Sequence, residues 1–77
     1  MTLLIRDQAI RDFDKAIQLN PEYVDAYYYR GNAYRSKGDY AKAIQDYDKA
    51  IELNPESAEV VNSDRKLAEE LKKKVKQ

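Results

Sequence analysis

The 77-residue chain has no cysteine, histidine or tryptophan, and only two glycines and two prolines. Without cysteine there can be no disulfide, no thiol nucleophile and no thiolate metal ligand. Without histidine there is no imidazole acid–base chemistry, no Ser-His-Asp triad and no imidazole-held metal. So few glycines and prolines leave room for few turns, and the chain is expected to be a handful of long helices. Net charge is missing as well, since 14 lysines and arginines balance 14 aspartates and glutamates. That balance removes the bulk attraction for nucleic acid or an anionic membrane surface. Lys72, Lys73, Lys74 and Lys76 do cluster near the end, where they complement the dipole of a helix C-terminus. Nucleic-acid binding through that end is the weakest of the functional options, and it would have to weaken steeply with salt. The first apolar run, Leu3-Leu4-Ile5, is far shorter than the core of a signal peptide. A cytoplasmic chain with no membrane partner and no cofactor is therefore expected.

What remains is 43% apolar and 36% charged, which suits one small domain near the lower size limit for a self-sufficient core. The segment from Ala9 to Glu22 returns as Ala43 to Glu56, with eleven of the fourteen aligned residues identical and an offset of 34. Within the later copy Ala43, Ile44, Tyr47, Ala50 and Ile51 recur at helical spacing along one face, as do Ala9, Ile10, Phe13, Ala16 and Ile17 in the earlier one. Between the copies, Tyr27, Gly31 and Tyr34 mark a second type of helix. Asn20-Pro21 and Asn54-Pro55 predict an N-cap followed by proline in the first turn. Gly38 predicts a left-handed helix end, and Asp39 a cap for the next helix. Four helices follow, over about 3–19, 22–37, 40–53 and 57–75.

Tyr27, Gly31 and Tyr34, then Ala43-x3-Tyr47, Ala50 and Pro55 resemble the tetratricopeptide repeat, a helix–turn–helix unit of the same period. Tyr27 stands where the family has tryptophan and Arg30 where it has leucine, a tolerable change if the arginine stem lies along apolar surface. The resemblance implies an all-α fold of antiparallel helix–turn–helix repeats in a single domain. Residues 1–21 would be the second half of a repeat, 22–55 one full repeat and 56–77 a polar capping helix. Gly31 and Ala43 are expected at the crossing of the two helices of the full repeat. Thirty-four residues on, Arg65 stands at the position of Gly31 and Asp64 at that of Arg30. A bulky charge at the crossing point suits a helix that closes the stack, with Ala58, Val61, Ala68 and Leu71 forming a stripe broken by Asp64.

Catalysis finds little support. Asp12/Asp14 and Asp46/Asp48 are two residues apart, so within one helix neither pair can converge on an atom, and no calcium loop follows them. Ser36, Ser57 and Ser63 lack a plausible base, and Gly31 and Gly38 form no phosphate loop. The resemblance implies instead a non-catalytic scaffold or adaptor that binds a partner peptide in a concave groove lined by the first helix of each repeat. The matching positions are Asp25, Tyr28, Asn32 and Arg35, then Glu59, Asn62, Lys66 and Glu69. Of these, Tyr28, Asn32, Arg35, Asn62 and Lys66 form a candidate peptide site, in which the asparagines and cations would hold a carboxylate. The plain alternative is a solvated polar face. A different class of role is structural: a self-associating repeat unit, natural fragment or designed protein, without a ligand of its own. The first helix matches the second half of a repeat whose first half would cover it, so Leu3, Leu4, Ile5, Ala9 and Phe13 are candidate self-association residues in a homo-oligomer, expected as a dimer.

Overall fold

A computed structural model of the chain describes residues 2–75, with side chains from 5 to 75. The side chains of Leu3 and Leu4, and Lys76, lie outside the described residues. Four helices run in order: α1 (Thr2–Leu19), α2 (Val24–Lys37), α3 (Tyr40–Leu53) and α4 (Ala58–Val75), with a short 3-10 turn at Pro55–Ser57 before α4. Each packs on its neighbour in sequence, so the molecule is a helical repeat stack.

The turns follow from their residues. Gly38 takes a left-handed conformation (φ 96°), and its N–H and that of Asp39 return to the Arg35 and Tyr34 carbonyls, which closes α2. The Asp39 carboxylate accepts the Lys42 N–H at 3.3 Å and opens α3. The two Asn-Pro junctions behave differently from the expectation of a helix cap. Asn54 caps only the 3-10 turn, accepting from the Glu56 N–H, and Asn20 likewise accepts from the Glu22 N–H. Helix α2 starts later, at Val24, after an uncapped Tyr23. In both cases the asparagine oxygen is satisfied two residues on, a local turn that competes with helix entry.

The core lies on both sides of α3. Ala43, Tyr47 and Ala50 are all 0% exposed, and Val61 and Ala68 of α4 close the second side. A Cβ placed on Gly31 would come within 2.9 Å of the Tyr47 ring and 3.3 Å of the Ala43 carbonyl oxygen. Gly31 therefore stands at the helix crossing, as expected, and its missing side chain is the space that the Tyr47 ring occupies. The Tyr47 hydroxyl donates to Asn32 Oδ1 at 2.6 Å, and burial pushes its pKa up to about 12.

Arg30 does more than lay its stem on apolar surface. Its guanidinium donates twice to Asp46 (2.8 and 2.7 Å) and once to Asp14 (2.7 Å), while lying within 6 Å of the Tyr27 and Tyr34 rings. These bonds, to Asp46 above all, raise its pKa. One aspartate comes from each copy of the repeated segment, so the acidic pairs converge between helices although neither can within one. Asp46 is nearly buried, and a bidentate guanidinium is the partner that makes a buried carboxylate tolerable.

Helix α4 departs from the expected register. Val60, aligned with the 1% exposed Ala26, is 64% exposed, whereas Val61 is 3% exposed. Arg65 reaches Asp48 at 2.6 Å, as Arg30 reaches Asp14. Yet Arg65 stands 35 residues after Arg30, and Asp48 stands 34 after Asp14. Helix α4 thus sits on α3 as α2 sits on α1, turned by one residue. Charge explains the turn, because Asp64 in the Arg30 position would face Asp48. Rotation brings Arg65 there instead and sends Asp64 toward α2. Arg65 accordingly lies beside Asp48 and does not occupy the crossing position that Gly31 holds and that the 34-residue offset predicts for it.

Candidate functional site

Helices α2 and α4 both pack on α3 and touch each other only lightly. Between their first turns lies a cleft of about 300 Å³ lined by Val24, Asp25, Tyr28, Tyr29, Val60 and Val61, with Asn54 and Ser57 at its end. Tyr29 and Val60 are large apolar side chains left 51% and 64% exposed. Phe13 of α1 stacks on Tyr29 with ring centroids 6.2 Å apart, and Tyr29 meets the edge of Tyr28 at 5.3 Å. An aromatic strip therefore runs from α1 across α2 to the cleft. Such half-exposed rings offer large contact area at little entropic cost.

Further along the same face the side chains bind one another. The Tyr28 hydroxyl donates to Asp64 Oδ2, and Arg35 donates to Asp64 Oδ1 at 2.9 Å. The bond to the Asp64 carboxylate holds the Tyr28 phenol above its ordinary pKa. This triad ties α2 to α4, with Tyr28 its one member that also lines the cleft. Asp25, which lines the cleft, and Glu59 are exposed in the first turns of their helices, where the dipole favours negative charge. Among the described residues no group of three or more acidic side chains could hold a metal ion, and no helix is long and apolar enough to cross a membrane.

Two comparisons with known families bear on this arrangement. Residues 24–57 match the family described as Tetratricopeptide repeat, and residues 7–35 match the one described as TPR repeat. The chain belongs to the tetratricopeptide repeat family. A search of curated proteins gave no match. Tetratricopeptide repeats generally mediate protein–protein interaction and are generally non-catalytic.

Of the five residues singled out on the inner face of the repeat, three lie together and two do not join them. Tyr28 lines the cleft. Asn32 turns its oxygen to Tyr47, and Arg35 is occupied by Asp64. Asn62 and Lys66 are exposed and stand two residues to either side of Asp64, about 160–200° around α4 from it. They face away from α2, because the helix has turned by one residue. Tyr29 and Val60 line the cleft and Asp64 joins α4 to Tyr28 and Arg35 of α2, although none of the three is among the inner-face positions matched to the family.

Proposed function

We propose that this tetratricopeptide repeat chain is a non-catalytic scaffold or adaptor whose inner face docks a segment of a partner protein in the cleft between α2 and α4. The observation that carries the reading is the pairing of exposed Tyr29 and Val60 across one cleft, backed by the aromatic strip from Phe13. The segment that fits has an apolar side chain for the cleft and a neighbouring cation for Asp25. A carboxylate-ended peptide is the poorer fit, since Arg35 is already neutralised by Asp64 and Lys66 faces away. In this reading residues 1–77 act as one module, with 22–55 the full repeat, 1–21 the half repeat before it and 56–77 the cap. No cofactor is required. Self-association has its own support in the open face of α1.

The test is a peptide array probed with the chain, followed by amide-shift titration of the best binder. Shifts are expected at 24–29 and 58–64. Tyr29→Ala and Val60→Ser should each weaken binding about tenfold, the size of one central interface contact, while Lys49→Ala on the far face leaves it unchanged. Shifts confined to α3, or a preference for acidic over basic segments, would overturn the reading.

A further inference from the structure

Helix α3 shows which residues of α1 would be covered if a helix lay on its other side. Ala43, Tyr47 and Ala50 are fully buried there, and their equivalents Ala9, Phe13 and Ala16 are all partly exposed. Ile5, one turn earlier on the same face, is 69% exposed. The charges beside this stripe have a pattern of their own. Arg6 and Asp12 flank Ala9 at three residues on either side, and Ile5 and Phe13 flank it at four. Among the described residues neither Arg6 nor Asp12 has an ion-pair partner. Asp12 is also the repeat equivalent of Asp46, whose carboxylate holds a guanidinium.

We propose that α1 is a homodimer interface, on which α1 of a second copy lies antiparallel about a two-fold axis at Ala9. The register follows from the spacing. Ala9 meets Ala9 where the backbones approach, Ile5 of each copy meets Phe13 of the other, and Arg6 of each meets Asp12 of the other. A stripe that is apolar at plus and minus four and oppositely charged at plus and minus three is self-complementary only when the helices run antiparallel. The two-fold then makes each contact twice, as an isologous interface requires. Asp12 gains the guanidinium that its equivalent Asp46 has within the chain. The partner-binding cleft lies on α2 and α4, and the two surfaces adjoin only at Phe13, whose ring stacks on Tyr29 of the cleft.

Sedimentation of the whole chain across a dilution series tests the proposal. A mass of twice 9.0 kDa is expected at high concentration, falling toward the monomer on dilution. Arg6→Asp alone or Asp12→Arg alone places like charges together at both ends of the interface, and each should weaken association by tenfold or more. The double exchange Arg6→Asp with Asp12→Arg restores the pairs and should restore the dimer. Circular dichroism checks that these surface variants remain helical. A monomer at every concentration, or a dimer indifferent to all three variants, overturns the proposal. A single-exchange defect that the double variant does not repair overturns the antiparallel register.

Discussion

The repeated segments 9–22 and 43–56, which run through α1 and α3, share eleven of fourteen aligned residues, yet α3 is the centre of the core and α1 lies at its edge. Tyr47 is wholly buried between α2 and α4, while Phe13, its equivalent, is stacked on Tyr29 and open on its other side. Asp46 is clasped by Arg30 and Asp12 is exposed. The same residues at the same helical spacing thus become core in one place and surface in another, decided by how many neighbours the stack provides. In a repeat protein, burial belongs to interfaces between units more than to the units themselves.

Truncating the two rings should expose the difference most sharply. Tyr47→Ala removes a fully enclosed ring and its bond to Asn32, and is expected to cost about 3–5 kcal/mol in urea unfolding. Phe13→Ala, measured in dilute solution, should cost about 1–2 kcal/mol, because part of that ring already faces water. Equal losses would break the comparison. Next comes the guanidinium clamp. Arg30→Ala leaves Asp46 nearly buried without its partner and should cost about 2–3 kcal/mol, somewhat below the loss for a fully buried pair because Asp14 is half exposed.

Much of this was legible in advance. The offset of 34, the helical stripes, the Gly38 helix end and the Gly31 crossing are all local or periodic features, and they appear where the residues imply. The register of α4 was not legible, because the alignment carries Arg30 onto Asp64, and only the contacts between helices show Arg65 at Asp48 and Asp64 at Tyr28 and Arg35. The same register separates Asn62 and Lys66, which are exposed, from Tyr28 at the cleft. The Arg30 clamp was missed for another reason: two aspartates that cannot meet within one helix meet across two, and a sequence shows spacing within elements but not between them.

Smaller effects sharpen the comparison further. Gly31→Ala forces a methyl against the Tyr47 ring and the Ala43 carbonyl, and should cost about 1–3 kcal/mol. The relaxed test is the double variant Gly31→Ala with Tyr47→Leu, in which the second change makes room and the two losses should be less than additive. Alkaline pH probes the same ring. The Tyr47 phenol titrates near 12 when folded and near 10 when unfolded, so the folded state holds its proton longer. The stability from keeping that phenol neutral is complete below about pH 10 and is lost as pH rises through 12. Tyr28 and Tyr34 are shifted in the same direction. Phe13 carries no titrating group, so Tyr47→Phe should flatten the alkaline slope, and an unchanged slope would show that Tyr47 does not contribute. The smallest effect is expected at Arg65→Ala, about 0–1 kcal/mol, since its bonds to Asp48 and Glu69 lie at the surface.

Amide hydrogen exchange, followed residue by residue in dilute solution, tests most directly whether neighbours and not sequence set the standing of the two helices. The amides of α3 from Ala43 to Ile51 should exchange only on global unfolding, whereas those of α1 from Ala9 to Ile17 should exchange through local opening at least tenfold faster. Equal protection of the two repeated segments under those conditions would contradict the account.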